Sequence, residues 1–133
     1  MAPSIWTQPM FVVDDVEASS AFYCEVFGFL SGHGGDAYEQ LLHDGELVMQ
    51  LHDDDPDDHH GPLVDRARPT GNGVLIWIEV ADFDGVVARA RARDVDVVSD
   101  VHTNTSARQQ EFWFRDLDGY LVVVAGESAY RPR

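Results

Sequence analysis

Hydrophobic and polar positions along this chain fall into two runs of the same form. Residues 5–13 mix Ile, Trp, Phe and Val and read as a strand, with Pro9 pointing to an edge or irregular position. Val16, Phe22, Tyr23, Val26 and Phe27 then recur at helical spacing, which predicts a helix over 16–27. Asp14 or Asp15 would cap it, with Glu17 three residues after Asp14 as in a capping box, and Gly28 would stop it. Three short strands are expected at 29–31, 38–42 and 46–52, the last two joined by the turn Asp44-Gly45. From 74 the pattern starts again with a buried strand over 74–80. A helix over about 83–93 follows, capped by Asp82, with Phe83, Val86, Val87 and Ala90 as its apolar stripe. Strands are expected at 96–99, 111–115 and 120–125, the last pair joined through Asp118-Gly119.

The recurrence is visible in the residues themselves. Val13-Asp14-Asp15-Val16-Glu17-Ala18 is echoed by Val80-Ala81-Asp82-Phe83-Asp84-Gly85, an offset of 67 in a chain of 133 residues. Between the copies, residues 53–73 hold three Pro, three Gly and the acid run 53–58, and read as a surface linker. The expected fold class is therefore α+β: a single domain over 1–133, with one βαβββ module at about 5–52 and a second at about 74–126. Such a module leaves a curved mixed sheet with its helix on one face. Two of them side by side would make a cup lined by side chains, with the helices outside.

Composition narrows what the cup could hold. With 44% hydrophobic and 11% aromatic residues, 133 residues suffice for one compact core. Residues 1–11 lack the basic and apolar regions of a signal peptide, and the longest apolar run, 74–78, is too short to span a bilayer, so a cytoplasmic protein without membrane contact is expected. Cys24 is the single cysteine, which excludes an internal disulfide and a cysteine metal cluster; inside a helix, with no histidine beside it in sequence, it reads as a structural thiol. The formal charge of −15, from 24 acidic residues against nine arginines and no lysine, disfavours nucleic acid and suits cationic partners. Solubility alone also accounts for it.

Other chemistries find little support. There is no Gly-x-Ser-x-Gly elbow and no Walker motif, and the glycines at 32, 34, 35, 71 and 73 read as turns. His52, His59 and His60 stand beside five aspartates, but the spacing lacks the glycine and terminal glutamate of a calcium loop. A solvated loop is the first reading there, and contact with a pocket rim the second.

The segments Asp15-Val16-Glu17-Ala18-Ser19, Ala21-Phe22-Tyr23, Phe27-Gly28-Phe29 and the run from Glu111 to Tyr120 resemble the vicinal oxygen chelate superfamily. That superfamily includes glyoxalase I, extradiol dioxygenases, fosfomycin-resistance enzymes and bleomycin-resistance proteins, and the resemblance extends over nearly the whole chain. It implies the paired-module fold and a homodimer. For the metal-dependent members it implies four strand-borne ligands drawn from His, Gln and Glu. Those positions fall on Gln8, Gln50, Leu75 and Val123. Leu75 and Val123 carry no lone pair, and two neutral amides hold a divalent cation weakly. No cofactor is therefore expected; a divalent metal would require a shifted alignment that brings in Glu79 or Glu111.

If Gln8 faces the cup, alternation places Trp6 and Met10 beside it, Val48 and His52 beside Gln50, and Trp77 beside Leu75. On the strand over 111–115, either Trp113 or the pair Phe112 and Phe114 faces the same way. With Val123 these residues form the candidate ligand site, although each aromatic could equally be core or dimer interface. The preferred function is a metal-free binding protein resembling bleomycin-resistance proteins, which sequesters a bulky aromatic compound, with a cationic one suited to the acidic surroundings. No catalytic residue is assigned, and the partners expected are a small organic ligand and a second copy of the chain. The alternatives are a metal-dependent glyoxalase-like lyase or dioxygenase, and a metal-free lyase or isomerase with Glu79 or Glu111 as base.

Overall fold

A computed structural model of the chain describes residues 4–59 and 61–129. The chain divides into two compact units, Met1–Asp65 and Arg66–Arg133, with the boundary inside the predicted linker.

In the first unit β1 (Met10–Val12) leads to α1 (Val16–Phe27), then β2 (Leu30–Ser31), β3 (Tyr38–His43) and β4 (Glu46–His52). Asp15 caps α1 by accepting the Ala18 amide, and Gly28 ends it with a left-handed backbone, φ 77°, that costs glycine nothing. The sheet runs β1-β4-β3-β2, with β1 parallel to β4 and the other pairs antiparallel. Val16, Phe22, Tyr23, Val26 and Phe27 of α1 are buried, as are Leu41, Met49 and Leu51 on the strands beneath. Alternation then turns Val48, Gln50 and His52 to the face away from the helix.

The first strand is shorter than the sequence predicts. Pro9 has no amide to donate; its carbonyl accepts from the Gln50 amide at 2.8 Å, and regular pairing begins only at Met10. Residues 5–9 lie outside the sheet ladder.

The second unit repeats this plan with β5 (Leu75–Glu79), α2 (Phe83–Ala92), β6 (Asp96–Asn104), β7 (Gln109–Arg115) and β8 (Leu121–Ala125). Its order is β5-β8-β7-β6, again with the first strand parallel to the last. Asp82 caps α2 through the Gly85 amide; a Cβ at Gly85 would lie 2.1 Å from that carboxylate, so the glycine leaves room for the cap. β6 runs five residues past its predicted end. It is an edge strand, paired to β7, and Asp100, His102 and Asn104 carry the polar side chains that an exposed edge tolerates. Each unit is thus one βαβββ module, and the α+β expectation holds. Among the described residues, no helix is long and apolar enough to cross a membrane.

Candidate functional site

On the second sheet the register decides which side of β7 faces away from the helix. Phe112 and Phe114 are both 0% exposed, and the Arg91 guanidinium of α2 lies 4.9 Å from the Phe112 ring centroid. They fill the core under the helix together with their cross-strand partners Val124 and Val122. These two phenylalanines are therefore removed from the candidate site, and Trp113 takes the open side.

Three rows cross that open face, because directly paired residues share a side. Leu75, Leu121 and Arg115 form the first, Trp77, Val123 and Trp113 the second, and Glu79, Ala125 and Glu111 the third. Leu75 and Trp77, on the outer strand β5, are 43% and 44% exposed, which leaves two large apolar side chains open on this face. Val123 is 0% exposed, so it supports the two indoles from beneath instead of meeting a ligand itself.

Glu111 is the polar centre of this face and is only 2% exposed. Its Oε1 accepts the Trp113 indole N–H at 2.9 Å and lies 3.3 Å from His102 Nε2, and its Oε2 accepts from Asn104 Nδ2 at 2.9 Å. His102 Nδ1 stands 2.8 Å from the Asp100 carbonyl and 3.3 Å from Ser99 Oγ, which fixes the ring beside Glu111. Glu79 Oε1 accepts from Gln109 Nε2 at 3.3 Å and from the Ser128 amide at 3.0 Å.

On the first sheet the face away from α1 carries Met10, Val48, Gln50 and His52, joined by Tyr38 and Gln40 of β3. Gln50 is buried and fully engaged: the Tyr38 hydroxyl donates to its Oε1, and its Nε2 donates to the Gln8 backbone carbonyl at 3.1 Å. Trp6 and Gln8 are exposed and precede the strand, so the alternation that would align them with Met10 does not reach them. What Gln8 brings to Gln50 is its backbone carbonyl.

His52 turns back toward the acidic loop. Its Nδ1 lies 2.8 Å from the Asp53 carbonyl and 3.1 Å from the buried Asp53 Oδ1, while its Nε2 is 3.9 Å from Asp58 Oδ2. One donor atom from each of the three residues falls within 4.8 Å of the others. The two imidazole nitrogens address different carboxylates, however, and one cation can use only one of them. His59 pairs with Asp58 at 2.7 Å on the loop surface, and His60 lies outside the described residues.

Two further titratable groups beside α1 serve structure. Burial would raise the Glu39 carboxyl, but donors from Ser31, Gly34, Ser20 and His33 outweigh it and hold the group at about 2. Cys24 moves the other way: burial raises its thiol, the Ser20 hydrogen bond opposes this and the Glu39 charge adds to it, so the sulfur stays protonated and unreactive.

The Glyoxalase/Bleomycin resistance protein/Dioxygenase superfamily model matches residues 7–124, most of the chain. The chain belongs to this superfamily. Solved structures agree on the superfamily fold. A glyoxalase/bleomycin resistance protein/dioxygenase from Nocardioides is 17% identical, with 100% of this chain and 92% of that one covered at a TM-score of 0.71. Lactoylglutathione lyase from Agrobacterium tumefaciens is 19% identical, with 94% and 95% covered at 0.69. TioX from Micromonospora sp. ML1 is 17% identical, with 90% and 96% covered at 0.67. At such identities the likeness shows the fold alone. No curated protein matches the chain.

The divalent metal that superfamily membership brings to mind does not fit the side chains at its four expected positions. Leu75 and Val123 are hydrocarbon, the Gln50 amide oxygen is taken by Tyr38, and Gln8 stands outside the strand. Tyr38 and Gln40 were readable from the sequence by pairing the strand over 38–42 with Gln50. His102 and Asn104 were not, because their strand was expected to end at 99.

Proposed function

We propose that this chain binds a bulky aromatic small molecule without a metal, in the manner of the bleomycin-resistance branch of its superfamily. The observation that carries this reading is the row Trp77, Val123, Trp113 on the open face of the second sheet. Two indoles there flank an apolar floor, one of them 44% exposed, at the place where a metal enzyme of this superfamily would need donors. Met10 and Val48, on the open face of the first sheet, offer a second apolar surface. The carboxylate-base alternative has less support: Glu111 is buried and engaged by the Trp113 indole and the Asn104 amide, out of reach of a proton to be removed, and the half-buried Glu79 already accepts from Gln109 and the Ser128 amide. A homodimer in the cytoplasm remains part of the proposal.

Titration of tryptophan emission with acridine tests it. Quenching that saturates is expected, with Trp77→Ala and Trp113→Ala each weakening affinity by about ten-fold or more through lost stacking. Affinity unchanged in both variants would overturn the reading.

A further inference from the structure

The second sheet carries the same two residue types twice, on strands running in opposite directions. β5 presents Trp77 and Glu79, and β7 presents Glu111 and Trp113. Because β5 is parallel and β7 antiparallel to the intervening β8, the indoles meet in one row through Val123 and the carboxylates in the next through Ala125. Strand spacing puts the two copies about 10 Å apart at the backbone, a span that a fused ring system bridges.

Resting on the aromatic-binding reading above, we infer that these two rows form one recognition site for a planar aromatic cation. The ring system lies on the indole row and its positively charged nitrogen on the carboxylate row. Indole faces attract cations as well as stacking on rings, and carboxylates beside them strengthen the preference. The charge of the whole chain, −15, has the same sign. Arg115 stands on the indole side, a row further from the carboxylates, and donates to the Gly119 carbonyl at 3.1 Å.

The two glutamates have different parts. Glu79 is half-buried, and the Gln109 side chain and Ser128 amide fix its carboxylate beside Trp77, where it meets the ligand's charge. Glu111 is a positioning residue: buried and paired with His102, it holds the Trp113 indole by its N–H and so sets the plane on which the ring system rests.

The test compares acridine with N-methylacridinium, the same ring system without and with a fixed positive charge, in mildly alkaline buffer. Wild type is expected to bind the cation about ten-fold more tightly. Glu79→Gln should abolish that preference while leaving acridine affinity unchanged. Glu111→Gln, which keeps an acceptor for the indole, should preserve the Trp113 emission maximum and acridine binding. Glu111→Ala should red-shift the emission and weaken both ligands. Equal binding of the two ligands by wild type, or a preference that survives in Glu79→Gln, overturns the cation site and leaves the aromatic-binding reading standing. Binding of neither overturns both.

Discussion

Phe112→Ala is expected to destabilise the protein by about 3–5 kcal/mol, the range for removing a fully buried aromatic from a packed core. Phe112 is 0% exposed, its ring centroid lies 6.0 Å from that of Phe114, and the Arg91 guanidinium covers it. Truncation leaves a cavity roofed by α2 and strands the cation without its π partner. Trp113→Ala, one residue along, should cost far less stability and should instead weaken acridine affinity by about ten-fold or more. Urea denaturation of the two variants beside wild type separates these outcomes. A small loss for Phe112→Ala with collapse of Trp113→Ala would mean that β7 faces the other way.

Glu39→Gln is expected to cost about 3–5 kcal/mol at neutral pH, because a buried, fully bonded carboxylate becomes an amide facing donors. Oε2 accepts Ser20 Oγ at 2.8 Å and Ser31 Oγ at 2.6 Å, and Oε1 accepts the amides of His33, Gly34 and Gln40 at 3.1, 2.7 and 2.9 Å. No rotamer of glutamine satisfies all five donors, since one end of its amide is itself a donor. The same group makes the fold acid-sensitive. Its carboxyl lies at about 2 in the folded protein against an ordinary 4.5, so its stabilisation is complete above 4.5 and is lost as pH falls from there toward 2. The amount is about 3 kcal/mol at about 1.4 kcal/mol for each pH unit of separation. Urea midpoints at pH 7 and pH 3 should therefore differ more in wild type than in Glu39→Gln. Equal pH sensitivity in the two proteins would remove Glu39 from this role.

Much of the fold was legible because each module states its plan locally. Asp15 and Asp82 cap the helices that their spacing foretold, Gly28 stops α1, and Asp44-Gly45 turns β3 into β4. Register puts Met10 level with Gln50 on the first sheet and Leu75 on the same side as Trp77 on the second. What failed were places where a nonlocal partner decides. Pairing cannot start before Met10 because Pro9 brings no donor, which leaves Trp6 and Gln8 off the strand. Edge strand β6 is held by β7 and not by any apolar pattern of its own, so its polar continuation through Asn104 was unreadable, and with it the partners of Glu111. The facing of β7 was undecidable in sequence, since Phe112, Trp113 and Phe114 are all aromatic and only the helix chooses among them.

The repeat also shows what stands at the four positions where metal-dependent members of the superfamily would carry ligands. Gln8 is answered by Leu75 across the offset of 67, and Gln50 has Val123 as its counterpart on the last strand of the second module. In the first module the Gln50 amide oxygen is occupied by Tyr38; in the second, Leu75 and Val123 stand beside the indoles of Trp77 and Trp113. Hydrocarbon side chains coordinate no cation, and those of the second module offer apolar contact area instead.

The most direct measurement is the affinity for N-methylacridinium, read by tryptophan quenching, on protein stripped with EDTA and on the same protein resupplied with zinc, nickel, manganese or iron(II). A site built from Trp77, Trp113 and Glu79 predicts tight binding by the stripped protein and the same affinity after each addition. Binding that appears only when one of these metals is restored, in stoichiometric amount, would contradict it.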